Sequence, residues 1–389
     1  MPFSTTSKPA RAVPVNLLAL TSASAEALVQ RLGWPSYRTT QLLRWLYRDR
    51  VRDIEQMTNL SKADRANLRA QATVGRFSLT GPMFRSTDGT RKFLFDLGDG
   101  LTVESILIPD GHRLTLCLST QVGCTLDCGF CLTGRMGLKR NLAPHEIVDQ
   151  VLTAMDRLDP EERLTNLVFM GMGEPLANFE AVAEAVTRLT HPTWGSGIAR
   201  RRITLSTAGL ASRLQDAIDL GVNLAVSLNA PTNALRAQLM AAANHIASLP
   251  DLMAACRALI LPDRDRLTFE YVLLANVNDR QEQAAQLVSL LRDIRCKINL
   301  IPFNEFPGSP YGRPDQTAIH RFQLRLRQAG YDVLVRRSRG RDVLGACGQL
   351  GHGTPEASPP VLTPARRLVT NQQGRVQQSK PPQTTNVHS

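Results

Sequence analysis

The sequence predicts an α/β protein whose main domain is an incomplete (β/α) barrel of six units. Three observations predict it. From about residue 113, short apolar runs alternate with amphipathic stretches, the pattern of parallel strands joined by helices. Three cysteines, Cys124, Cys128 and Cys131, follow the first of these runs. Glycines and small polar residues close several later runs, at the strand ends where barrels gather their ligands.

The expected strands are 113–119, 165–170, 202–206, 222–228, 267–274 and 296–302, with a further one at 332–336. Amphipathic helices are expected at 145–157, 177–189, 209–219, 279–292 and 316–328. Six strand–helix units are too few for a closed barrel of eight. The barrel domain is assigned to 110–351. Before it, residues 1–15 read as a flexible arm and 16–75 as a small helical domain. Ser22 to Gly33 has a capping residue and a terminal glycine. Leu42, Leu43, Trp45 and Leu46 form an apolar stripe, and Asn59 to Arg69 is a third helical stretch. Residues 76–109 alternate as strands around Asp88-Gly89 and Asp99-Gly100 turns. Residues 352–389, rich in Pro, Gln, Thr and Ser, read as a disordered tail.

Hydrophobic residues make up 43% of the 389, enough for a sizeable core. Lys and Arg exceed Asp and Glu by 46 to 34, a net charge of +12, which favours a polyanionic partner such as nucleic acid. Arg38, Arg44, Arg48, Arg50, Arg52, Lys62, Arg65 and Arg69 concentrate in the helical domain, as a solvated face or an RNA-docking surface. No apolar run approaches the ~18 residues of a membrane span, and Val13 to Leu20 makes a poor signal peptide. The expectation is a cytoplasmic protein, with no membrane association. Its seven cysteines then serve metal or redox chemistry rather than disulfides.

Cys124, Cys128 and Cys131 put three thiols in eight residues. Soft thiolates select zinc or iron–sulfur. A closed zinc site wants four ligands, and Cys256 and Cys296 stand alone, while Cys117 lies seven residues back on the preceding strand. Three ligands on a four-iron cluster leave one iron open for chemistry. Gly171-Met-Gly173-Glu174-Pro175 ends the next strand, with glycines that let backbone approach a ligand and a carboxylate for an ammonium group. Ser206, then Ser227-Leu228-Asn229, then Asn304 close later strands; each also serves as an ordinary turn cap. Cys347 sits among Gly345, Ala346 and Gly348, which suggest a mobile, exposed segment carrying a nucleophilic thiolate.

The cysteine spacing resembles the radical-SAM superfamily, which cleaves S-adenosylmethionine (SAM). The wider chain, from about residue 35 to 351, resembles the RlmN family of dual-specificity RNA methyltransferases. The resemblance is carried by Tyr37-Arg-Thr-Thr-Gln-Leu-Leu-Arg-Trp-Leu-Tyr47, Met57-Thr-Asn-Leu-Ser61 and Val103-Glu-Ser-Ile106. Cys117-Leu-Ser-Thr-Gln-Val-Gly-Cys124, Lys139-Arg-Asn-Leu142 and Gly171-Met-Gly-Glu-Pro-Leu-Ala-Asn178 continue it. Pro302-Phe-Asn-Glu-Phe-Pro-Gly-Ser309 and Ala346-Cys-Gly-Gln-Leu350 close it.

The resemblance implies a radical-SAM partial (β/α)6 barrel and one [4Fe–4S] cluster on Cys124, Cys128 and Cys131. It implies SAM contacts from Gly173, Glu174, Ser206, Ser227, Leu228, Asn229 and Asn304. It also implies methylation of adenine C2 in 23S rRNA, at adenine 2503, and in tRNA, at adenine 37. Cys347 would carry the methyl carbon, Glu104 would take the C2 proton, and Cys117 would release the product through a transient disulfide with Cys347. Two SAM molecules would be used per turnover. Implied partners are the two RNAs and an electron donor such as flavodoxin or ferredoxin, with the enzyme a monomer. Asn229 stands where the family more often has His, and Leu132 and Arg341 also depart from its pattern. The sister Cfr-type family methylates adenine C8 instead; Glu174-Pro175 and the 303–308 segment favour the C2 branch. A rival of another class is a zinc-stabilised RNA-binding protein without catalysis.

Overall fold

The computed structural model describes residues 14–79 and 83–351. The expected tail and most of the expected arm lie outside the described residues.

The chain begins with a helical unit. Strand β1 (Val15–Asn16) pairs in parallel with β2 (Ala72–Thr73), closing the unit on itself. Between them run α1 (Ser22–Arg31), α2 (Tyr37–Tyr47) and α3 (Lys62–Gln71). The Thr21 and Ser61 hydroxyls cap α1 and α3 by accepting the Ser24 and Asp64 N–H groups, satisfying donors that the helices cannot. Leu42, Leu43, Leu46 and Tyr47 bury one face of α2.

Several expected docking arginines are engaged internally. Arg50 and Arg52 pair with Asp156, and Arg65 and Arg69 with Glu55. Arg76, buried, pairs with Asp149 and with Asp156. The bonds to Asp149 and Asp156 fasten the helical unit to a helix of the barrel, while those to Glu55 lie within the unit, so part of that basic charge serves the chain's own packing.

Next come β3 (Ser78–Leu79), β4 (Phe84–Arg85), β5 (Arg91–Asp96), β6 (Thr102–Asp110) and β7 (Arg113–Cys117). They form an antiparallel set in which β5 pairs with β3, β4 and β6, and β6 with β7. β7 is also the first barrel strand. After a small pair, β8 (Gln121–Val122) with β9 (Arg140–Asn141), follow β10 (Asn166–Phe169), β11 (Ile203–Thr207), β12 (Asn223–Ser227), β13 (Leu267–Leu273), β14 (Cys296–Pro302) and β15 (Asp332–Val335). From β7 to β15 every neighbouring pair is parallel. The segment at 76–109 therefore continues the barrel sheet, an association that alternation alone does not reveal.

The covering helices are α4 (Leu132–Arg135), α5 (Pro144–Met155), α6 (Phe179–Leu189), α7 (Leu214–Asp219), α8 (Asn233–Leu239), α9 (Ala241–Ile246), α10 (Leu249–Ala258), α11 (Gln281–Leu290) and α12 (Gln316–Gln328). Helices α8 to α10 were not expected. Their Ala- and Met-rich sequence carries no clear 3.6-residue period. Alternate strand residues such as Leu167, Phe169, Ile203, Leu205, Phe269, Tyr271, Ile298 and Leu300 face outward under the helices and form the core. The intervening residues face the lumen.

No helix among the described residues is long and apolar enough to cross a membrane. Asp149→Ala would leave the buried Arg76 guanidinium with Asp156 as its one remaining carboxylate partner. A loss of about 3–5 kcal/mol of stability is expected, measured as a lower denaturant midpoint.

Candidate active site

The site sits at the C-terminal ends of the parallel strands. Residues 118–131 leave β7 and place three thiols around one cavity, lined by Cys124, Cys128 and Cys131. The path is set by backbone geometry. Gly123 has φ of +77°, and a Cβ there would lie 1.8 Å from the Gly137 carbonyl oxygen. The loop then turns through a hydrogen bond from Cys131 N–H to the Cys128 carbonyl, 3.0 Å. Helices α8 and α9 hold it from behind. Gly129 N–H donates to the Leu239 carbonyl, and the Asp127 carboxylate accepts from Ala242 N–H, both at 2.9 Å.

Gly173, Glu174, Ser206, Ser227, Asn229 and Asn304 line the same cavity. Gly173, at φ +98°, abuts Gln121 so closely that a Cβ would fall 2.6 Å from the Gln121 Cβ. Glu174 is buried, and its two carboxylate oxygens accept Leu176 N–H (3.0 Å) and Ala208 N–H (2.8 Å). Burial pushes its pKa up while those bonds pull it down. Its remaining lone pairs are available to an ammonium group. The Ser206 and Ser227 hydroxyls lie 3.3 Å apart.

Asn229 reaches the cavity, but its side chain is committed. It accepts Val272 N–H at 2.8 Å and donates to Met240 Sδ at 3.3 Å, while its backbone takes a left-handed φ of 58°. Leu228 does not line the cavity: its side chain is wholly buried, and its N–H donates to the Glu270 carbonyl.

Cys347 lines this cavity and a second one of about 510 Å³. Cys117, at the end of β7, lines the second, as does Asn304. The two thiols expected to act together thus share a wall. The segment carrying Cys347 is fastened rather than exposed. Gly348 and Leu350 carbonyls accept from Leu132 N–H (2.8 Å) and the Thr133 hydroxyl (2.6 Å). Asn304 donates to the Cys347 carbonyl at 3.1 Å, and Gln349 to the Glu305 carbonyl at 2.6 Å. Polar partners on α4 and on the loop after β14 hold in place what its small residues alone would leave loose. The departure at Leu132 is a buried core position. Arg341 is exposed, and nothing in the structure explains that departure.

Glu104 lines neither cavity. It sits on β6 and is 1% exposed. It pairs with the fully buried Lys92 at 3.0 Å and accepts Gly351 N–H at 3.1 Å.

Three residues of the site were missed. Arg236 on α8 is fully buried and donates to the Ala208 carbonyl at 2.6 Å. Burial pushes its pKa down, and the nearby Cys128 thiol opposes that effect. Glu270 and Arg336 project into the lumen, where both line both cavities. A signal existed for Glu270: a carboxylate inside an otherwise uncharged strand of large apolar residues, Leu267 to Leu273.

The donor set suits an iron–sulfur cluster. Three thiols surround one cavity, and burial pushes the Cys124 thiol up to about 12 and Cys128 and Cys131 upward, a penalty that a positive metal centre reverses. Among the described residues no set of three His, Cys, Asp or Glu converges on a single ion. Thiolates serving separate irons do not need to converge.

A parallel partial barrel with these thiols at its first strand defines a radical-SAM enzyme, and the radical-SAM superfamily pattern matches residues 118–288. That of the ribosomal RNA large subunit methyltransferase N-terminal domain matches residues 15–74. The dual-specificity RNA methyltransferase RlmN of Bdellovibrio bacteriovorus is 46% identical over 345 residues, 88% of this chain and 85% of that protein. The RlmN of Syntrophobacter fumaroxidans is 47% identical over 338 residues, 87% and 98% of the two chains. A radical-SAM methyltransferase from Sphaerobacter thermophilus superposes with a TM-score of 0.82 at 41% identity, covering 86% of this chain and 99% of that one. The chain belongs to the RlmN family of dual-specificity RNA methyltransferases. The family implies a [4Fe–4S] cluster and SAM. Catalysis removes the rival of a non-catalytic RNA-binding protein.

Cys128→Ala is expected to abolish cluster loading. After anaerobic reconstitution the parent chain should hold about four irons and four sulfides, and the variant close to none, by colorimetric analysis.

Proposed function

We propose that the chain methylates C2 of adenine in 23S rRNA and tRNA, with Cys347 as the carrier of the methyl carbon. The observation that supports it is the position of Cys347, between the cavity of the three thiols and the cavity that holds Cys117. Cys124, Cys128 and Cys131 would hold one cluster, with Glu174, Ser206 and Ser227 around SAM. When bound, the cluster supplies the electron that releases a 5′-deoxyadenosyl radical from SAM.

The chain's own residues do the rest. Adenine C2 is electron-poor, so direct transfer of a methyl cation to it fails. Cys347 takes a methyl group from one SAM and loses a hydrogen atom from that methyl, and the carbon bonds to C2. The family resemblance assigns removal of the C2 proton to Glu104, although its carboxylate lies behind the cavity wall, paired with Lys92. Cys117 attacks the Cys347 sulfur, forming a disulfide as the sulfur–carbon bond to the RNA breaks; the freed carbon takes up a proton, and the one odd electron left by the addition to C2 would pass to the oxidised cluster. Asn304 serves by holding the Cys347 carbonyl. An external reductant then restores both thiols. Cytoplasmic reductants and a small redox protein as electron donor fit this cycle.

The deciding experiment is mass spectrometry of nucleosides from cells expressing the chain. 2-Methyladenosine supports the reading, and 8-methyladenosine would overturn it in favour of the C8 branch. Cys117→Ala is expected to trap a covalent protein–RNA adduct, and adding Cys347→Ala to abolish it, both visible on denaturing gels. Burial pushes the Cys117 thiol up to about 12, and only the thiolate attacks. Adduct decay should therefore quicken about tenfold per unit from about pH 7 to about pH 9, followed by quench-flow.

A further inference from the structure

The lumen below the two thiols is polar, where closed barrels pack branched apolar side chains in layers. Thr115, Asn166, Thr268, Glu270, Asn299 and Arg336 line it. Its volume, about 510 Å³, lies within the ~300–1,000 Å³ of ordinary ligand sites. Two acceptors there have no hydrogen-bond partner among the described residues: Glu270 Oε2 and Asn166 Oδ1. Glu270 is 3% exposed, and its other oxygen is fixed by Asn299 Nδ2 at 3.0 Å. A buried carboxylate oxygen aimed into a cavity is costly unless a donor meets it. Burial pushes the pKa of this carboxyl group up, and Arg336 opposes that effect. Exposed Arg113 and Arg337 line the same cavity, as suits entry of a nucleotide with its phosphates.

An enzyme acting on a ring carbon of a base takes the base out of its stack into a pocket. We propose that this lumen receives the target base and that Glu270 reads it, accepting a hydrogen bond from the 6-amine of adenine. The proposal rests on the adenine-C2 reading above and adds to it the residue that selects the base. With C2 turned to Cys117 and Cys347, the 6-amine stands on the same ring, one carbon beyond N1. The amine is a donor for the open oxygen of Glu270. Guanine presents a carbonyl at that position, and acceptor would face acceptor, so the same carboxylate rejects it. Asn299 acts as a positioning residue, holding Glu270 toward the cavity.

The test uses the reconstituted full chain and RNA hairpins that carry adenine or unsubstituted purine at the target position. Purine keeps C2 and lacks only the 6-amine. Wild type should prefer adenine by about 10–100-fold in kcat/KM. Glu270→Ala should lower the rate on adenine by a similar factor and bring the ratio close to one. A purely structural role would slow both hairpins alike and leave the ratio intact, which would overturn the proposal. If the Ala variant fails to load its cluster, wild type alone decides: equal rates on the two hairpins also overturn it. Methylation at a carbon other than C2 would refute the function above, while the adenine-to-purine ratio still reports on Glu270.

Discussion

The buried ion pair between Lys92 and Glu104 is the interaction on which the geometry of the site depends. Its partners sit on neighbouring strands of the antiparallel set, 3.0 Å apart and closed to solvent. Each also reaches the segment that carries Cys347: Lys92 donates to the Leu344 carbonyl, and Glu104 accepts Gly351 N–H. Removing one partner of such a pair leaves an uncompensated buried charge. The pair thus makes the position of the reactive segment a property of the sheet rather than of a loop. It also brings the proposed proton acceptor and the proposed methyl carrier under one electrostatic control.

The rest of the site follows from closing the open side of a partial barrel. The sheet runs from β3 to β15, and the chain after β15 returns to the β5–β6 side. Ser86 and Thr87 bond the Asp342 carboxylate, and Asp88 accepts Gly340 N–H. The returning segment bears Cys347 at the junction of two cavities. A carbon-centred radical needs such a wall, because an open lumen exposes it to competing hydrogen donors. The polar lining below the thiols and the glycine-shaped loop above them give the two ends of the cavity different chemistry.

The strands and most helices were legible because their burial follows the periods of two and 3.6 residues. The cysteine triad was legible from its spacing, and Gly173 and Glu174 from their place after a strand. What the sequence concealed was association. Nothing in Phe93 to Asp96 shows that this hairpin extends the barrel sheet, or that Lys92 meets Glu104. The N-terminal arginines looked alike in sequence, yet Arg50 and Arg52 share Asp156 while Arg44 is exposed. Asn229 was read as a ligand contact because it ends a strand. It lines the cavity, and its amide also clasps β13 and the α8–α9 junction, a role set by partners farther along the chain. Cys347 was read as exposed from its small neighbours, yet its carbonyl is held by Asn304 and the next polar residue, Gln349, by the Glu305 carbonyl, 43 and 44 positions away.

The return of the last described segment onto β5 and β6 also has a meaning in time. Chains are made from the N-terminus, and domains fold as they emerge. The three thiols at 124–131 leave the ribosome long before residue 347 does. A nascent chain can therefore shape the cluster loop while the lumen is still open on one side. The wall is complete only when residues 340–351 arrive and bond to a turn made some 250 residues earlier. Translation thus presents the cysteine loop first and the proposed methyl carrier last.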